Sequence, residues 1–165
     1  MHVSPANTIA NPIPPSGRYN RGIMPYWRLF YHIVWSTKYR LPLIEPAWEA
    51  DLYGYMWGKA TALECIPYAI NGTPDHTHVV ISIPPKLAVP TLIGRLKGSS
   101  SHRLNTMFVS NQAFAWQAEY SAFTFSEKAL PSIVKYVENQ KKHHAQRTLI
   151  DTMEDFDLVH SNDGE

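Results

Sequence analysis

Two histidines, His76 and His78, bracket a threonine at the head of an apolar run, HTHVVISI, residues 76–83. In a strand, successive side chains point to opposite faces. His76, His78 and Val80 then share one face, the less buried one, and Thr77, Val79, Ile81 and Ile83 the other, which has the composition of a core face. Two imidazoles one step apart can grip one cation, and neutral imidazole is a common ligand for transition metals. Asp75 stands beside them, placed to assist or to serve the preceding turn. The same pattern also occurs on surface strands with no ligand role, so a third ligand decides. Tyr136 and Gln140, in YVENQKKHH, lie four residues apart and share one helix face. A glutamine carbonyl oxygen added to two imidazoles suits Mg²⁺ or Mn²⁺. A cysteine-bound zinc is not expected, since Cys65 stands alone. A phenolate next to a metal-held phosphodiester can attack phosphorus and form a covalent protein–nucleotide ester. The plainer alternative makes Tyr136 a core aromatic and Gln140 an exposed polar residue.

Those side chains need elements to hold them. YWRLFYHIVWSTKYR, residues 26–40, is aromatic and β-branched and reads as a long strand. Residues 46–64 carry a helical stripe weakened by Gly54 and Gly58. CIPYAI, 65–70, reads as a short strand, Asn71-Gly72 as a tight turn, and 76–83 as the next strand. Residues 88–108 form a helix, 114–126 one or two strands, and 126–149 a helix that Ser126 caps and Pro131 interrupts early. A tight turn between two strands requires an antiparallel pair. The order therefore predicts an α+β, ferredoxin-like split β-α-β sheet. Its helices lie mainly on one face, with a further C-terminal helix carrying the tyrosine.

A length of 165 residues favours one core-bearing domain, and a single cysteine excludes an internal disulfide framework. No apolar run is long enough for a membrane span, and no signal-peptide core is visible, so a cytoplasmic, nucleoid-associated location is expected. The net charge of +1 hides an asymmetry. Residues 151–165 hold six acidic and no basic side chains, which leaves residues 1–150 with 15 basic against 8 acidic, or +7. A basic body is compatible with a polyanionic partner. The division expected is a Pro-rich flexible leader over 1–25, a catalytic domain over 26–149, and a solvated acidic tail over 150–165.

Four blocks in order, PDHTHVVISIPP, LIGRLKGSSSHRL, FAWQAEYSAFTFSE and VKYVENQKKHH, together with YHIVWSTKYRLPLI, resemble the single-tyrosine HUH transposase family. That family includes insertion-sequence transposases and transposases associated with repetitive extragenic palindromes. The resemblance spans residues 26–144. It implies a ferredoxin-like core that cuts and rejoins single-stranded DNA. His76 and His78 match the HUH ligands, Gln140 the third ligand and Tyr136 the nucleophile. It also implies a 5′-phosphotyrosine intermediate, a released 3′-hydroxyl and rejoining without ATP. Homodimers that recognise hairpins at element ends are implied as well. Thr77 departs from the bulky apolar residue usual between the two histidines, and the acidic end departs from the family's C-terminal region. A catalytically inactive or domesticated single-strand-binding protein on the same fold is the alternative.

Arg95, Lys97, Ser99 and Arg103 on the second helix, and Lys135 and Lys141 beside the tyrosine, are the expected phosphate contacts. They read equally as solvated helix faces. His143 and His144 are left out of the ligand set, because the histidine pair and Gln140 already make three.

Overall fold

The computed structural model describes residues 27–108 and 112–154. Four strands form one antiparallel sheet: β1 (Phe30–Ser36), β2 (Ile66–Thr73), β3 (His76–Ser82) and β4 (Ser121–Phe125), in the order β2-β3-β1-β4. Helix α1 (Glu49–Ala62) joins β1 to β2, and α2 (Val89–Met107) joins β3 to β4. This is the split β-α-β arrangement expected from the sequence. The leader over 1–25 lies outside the described residues, as do 155–165 of the acidic tail.

Both helices cover one sheet face. Ile33, Trp35, Val79 and Ile81 of the strands pack there with Leu52, Met56, Leu92 and Leu96 of the helices, all essentially solvent-free. The opposite face is covered by α3 (Leu130–Glu138), α4 (Gln140–Gln146) and the short α5 (Asp151–Glu154). Phe30, Tyr68 and Val80 pack there against Leu130, Ile133, Tyr136 and Val137.

Three expectations are corrected. Asn71 and Gly72 lie inside β2 and pair with His78 and Thr77, so they are not the turn. The hairpin closes at Pro74-Asp75, between the paired Thr73 and His76. Gly72 is needed for packing: a Cβ there would lie 2.1 Å from the His76 carbonyl oxygen. The first strand is also shorter than expected. It ends at Ser36, followed by a 3-10 turn over Lys38–Arg40 in which Tyr39 and Arg40 take positive φ (57° and 54°).

The C-terminal helix is two helices, not one. Pro131 sits in the first turn of α3, where its missing N–H costs nothing, so it starts the helix instead of breaking it. The break falls at Asn139. A helix end leaves carbonyls without partners. The Asn71 side chain, reaching up from β2, donates to the carbonyls of Val137 (3.0 Å) and Glu138 (2.9 Å). The sheet thus fixes where α3 stops, just before Gln140.

Candidate metal and tyrosine site

Strand alternation places His76 and His78 on the α3–α4 face, as expected, but that face is not the less buried one. Their exposures are 1% and 0%. Each ring is held from behind. His76 Nδ1 lies 2.7 Å from the Asp75 carboxylate, which also accepts from the Thr73 hydroxyl (2.7 Å). A histidine that donates Nδ1–H to a carboxylate keeps a lone pair on Nε2 and gains basicity, the usual outer support of a metal ligand. His78 Nδ1 lies 2.9 Å from Nε2 of His32, a buried residue of β1.

Helix α4 delivers Gln140, fully buried, and one turn later His144. Tyr136 on α3 and Gln140 and His144 on α4 keep a four-residue spacing across the break at Asn139. The chain then returns, and α5 carries Glu154 into the same space. Glu154 Oε2 stands 3.6, 3.4 and 3.5 Å from Nε2 of His76, His78 and His144. Its Oε1 accepts hydrogen bonds from the Tyr136 hydroxyl and from Gln140 Nε2 (3.0 Å). The Tyr136 oxygen also accepts from the Ile150 N–H (3.2 Å), and the His143 ring lies along the tyrosine ring, centroids 4.7 Å apart.

The set fits a metal ion. One donor atom from each of His76, His78, His144 and Glu154 lies within 4.8 Å of every other. Ligands about 2.1 Å from a common ion stand roughly 3–4 Å apart. Among the described residues no hydrogen bond reaches the buried Gln140 Oε1, and Nε2 of His78 and His144 meet the Glu154 carboxylate only at 3.4 and 3.5 Å. Buried polar atoms held this loosely carry a penalty that a cation removes. The group His76, His78, His144 and Glu154 is therefore able to bind a metal ion.

Electrostatics follow the same geometry. Burial opposes protonation of His76, but Asp75 and Glu154 outweigh it and its pKa is raised. Burial dominates at His78 and lowers its pKa, against the pull of Glu154. Burial also lowers His144, helped by His76, and takes His32 down to about 3. Burial disfavours the Glu154 carboxylate, yet the imidazoles and the Tyr136 hydroxyl hold it well below the usual carboxylate range. Burial and the Glu154 carboxylate push the Tyr136 phenol up to about 12.

The structure brings together Tyr136, His76, His78 and Gln140. It adds His144, which the sequence reading set aside, and Glu154, which that reading put in a solvated tail. Thr77 points away into the α1 side, fully buried, its hydroxyl donating to the Asn71 carbonyl (3.3 Å). Among the expected phosphate contacts, Lys135 and Arg95 are exposed and Lys141 pairs with Glu49. The other three have local partners on the far side of the sheet from the cluster. Lys97 donates to the carbonyls of Gln117, Ala118 and Glu119 (2.8–3.1 Å). Arg103 forms a two-pronged pair with Asp51 (2.9 and 2.8 Å). Ser99 bonds back to the Arg95 carbonyl (2.6 Å).

The four-stranded antiparallel sheet thus buries a histidine pair beneath Tyr136 of α3 and Gln140 of α4. The family model described as "Transposase IS200 like" matches residues 25–140. This chain belongs to the IS200-like transposase family. It is 30% identical over 138 residues to the ISDra2 transposase TnpA of Deinococcus radiodurans, covering 78% of this chain and 94% of that protein. It is 32% identical over 87 residues to the IS200 transposase of Salmonella typhimurium, covering 50% of this chain and 54% of that one. Among solved structures, a candidate transposase from Deinococcus radiodurans superposes with a TM-score of 0.58 at 27% identity, covering 75% of this chain and 98% of that chain. A REP-associated tyrosine transposase, solved bound to a REP hairpin, shares the fold with a TM-score of 0.56 at 13% identity, over 74% of each chain. Among the described residues no helix is long and apolar enough to cross a membrane.

Proposed function

We propose that this transposase cuts and rejoins single-stranded DNA through a covalent bond to Tyr136. The observation that carries the reading is the tyrosine hydroxyl hydrogen-bonded to Glu154 beside three inward-facing imidazoles and Gln140. His76, His78 and Gln140 hold a divalent cation, and His144 and Glu154 complete its surroundings. A nitrogen-rich set of this kind suits Mn²⁺ better than Mg²⁺. When bound, the ion neutralises charge on the scissile phosphate and polarises it.

The chain's own residues do the rest. The Tyr136 oxygen attacks phosphorus, the bond to the 3′ oxygen breaks, and a 5′-phosphotyrosine and a free 3′-hydroxyl result. The phenol proton passes to solvent and a solvent proton completes the released 3′-hydroxyl, while the Glu154 carboxylate orients the tyrosine hydroxyl. Asp75 and His32 keep the two strand histidines in register. The ester conserves the phosphodiester bond energy, so a second 3′-hydroxyl rejoins the strand without ATP. Hairpins at element ends are the substrate, and the protein works as a homodimer in the nucleoid. The +7 body, with Lys135, Lys141 and Arg95 on exposed helix positions, supports a DNA partner. Arg103, Lys97, Ser99 and Lys141 would contact phosphate only by giving up their local partners.

The test is incubation with Mn²⁺ and a labelled single-stranded hairpin from the flanks of the gene, followed by a denaturing gel. Wild type gives a covalent adduct and Tyr136→Phe gives none. An adduct that persists unchanged in Tyr136→Phe overturns the assignment of the nucleophile. Mn²⁺ binding without any adduct would favour the alternative, a single-strand-binding protein on the same fold.

A further inference from the structure

His76 and His78 differ in what stands behind them. His76 is backed by a carboxylate, Asp75, within its own hairpin. His78 is backed by another imidazole from a different strand. His32 lies on β1 two residues from Val34, the residue directly opposite His78, so the two histidines are diagonal neighbours on one sheet face. Their rings are within 14° of parallel, the nitrogens are 2.9 Å apart and the centroids 5.2 Å apart. The rings therefore meet edge to edge, with the bond close to the ring planes, where an N–H donates best. Phe123 of β4, paired with His32 across the strands, holds the other side of that ring, centroids 6.1 Å apart. His32 is 2% exposed.

A hydrogen bond between two neutral imidazoles needs one donor and one acceptor. If His32 donates, the His78 proton is forced onto Nε2, which points at His76, His144 and Glu154, and no lone pair remains there. If His32 accepts, His78 carries its proton on Nδ1 and its inward nitrogen is bare. Nε2 of His78 meets the Glu154 carboxylate at 3.4 Å; a cation seated between them requires the nitrogen bare, the form left when His32 accepts.

We propose that His32 is a positioning residue: its Nε2 accepts the His78 Nδ1 proton and so fixes the tautomer in which His78 presents Nε2 to a divalent cation. This rests on the metal reading above. It assigns a role to a buried residue of β1 outside the candidate metal group. It also explains why a polar side chain is buried in the middle of a strand whose neighbouring site-face residues, Phe30 and Val34, are apolar.

Two measurements test it. Long-range ¹H–¹⁵N NMR of the metal-free wild type at neutral pH should show His78 protonated on Nδ1. Calorimetry with Mn²⁺ should show His32→Leu binding roughly 10–100-fold more weakly than wild type, the range typical when the outer partner of a ligand is removed. His32→Gln, which retains an acceptor in reach of His78, should recover to within about threefold, which a merely space-filling role would not produce. A His78 proton on Nε2 in the wild type overturns the assignment. So does a folded His32→Leu that binds Mn²⁺ as tightly as wild type. If His32→Leu does not fold, the tautomer seen in the wild type decides alone. Failure of the underlying metal reading looks different: wild type itself binds no Mn²⁺.

Discussion

On the α1–α2 side of the sheet, Ile33, Trp35, Val79 and Ile81 are buried against apolar helices; on the other side the same strands bury His32, His76 and His78 just as completely. The two faces carry equal burial with opposite consequences. Apolar burial contributes roughly 25 cal/mol per Å² and needs no partner. Burying a polar atom costs free energy unless something satisfies it. Asp75, His32 and Glu154 satisfy part of the histidine face, and a cation would satisfy the remainder. One face therefore stabilises the fold, and the other holds reactive groups that the first face keeps in place.

Substitutions on the two faces should separate. The largest effect expected is His78→Ala. Its Mn²⁺ affinity should fall by more than about 100-fold, beyond the range for outer partners, while metal-free stability changes little, because three imidazoles no longer crowd one space. Calorimetry and urea unfolding on one preparation check both. Leu96→Ala, in the centre of the dry face, should do the reverse. It should cost about 2–5 kcal/mol in urea unfolding and leave the Mn²⁺ affinity of the folded protein unchanged. A loss of metal affinity there would mean that the faces are not separable.

Asn71→Ala probes the seam between them. Removing an amide that caps two helix carbonyls should cost about 1–3 kcal/mol. It should also weaken Mn²⁺ binding, since the end of α3 sets the position of Gln140. The smallest effect expected is at Cys65, 4% exposed, whose thiol burial pushes up to about 11. A raised pKa leaves the neutral thiol at pH 8, so alkylation should be slow there and speed up only as pH climbs toward 11. Rapid labelling at pH 8 would show that this side opens.

What the sequence made legible was whatever depends on local period. Alternation in β3 separated His76 and His78 from Val79 and Ile81, and helical spacing put Tyr136 with Gln140. The same spacing reaches His144, four residues on, so that signal was present but was discounted once three ligands had been counted. Glu154 and His32 had no such signal. Glu154 sits in a run of acidic residues that reads as solvated, and only the return of the chain after Arg147, which ends α4 at φ 53°, brings it inward. His32 becomes meaningful only through the β1–β3 register. Asn71-Gly72 misled because a strong turn pair was used for another purpose: the amide caps a helix, and the glycine admits the neighbouring strand. The phosphate contacts were not legible, since exposed cations on a helix and cations committed to a carboxylate or a loop look alike in one dimension.

The most direct test of the central claim is peptide mapping of the adduct formed with a single-stranded hairpin in Mn²⁺. One modified peptide is expected, with the DNA 5′-phosphate on Tyr136. A modification on another residue, such as the exposed Tyr39, or no covalent product despite tight Mn²⁺ binding, would contradict it.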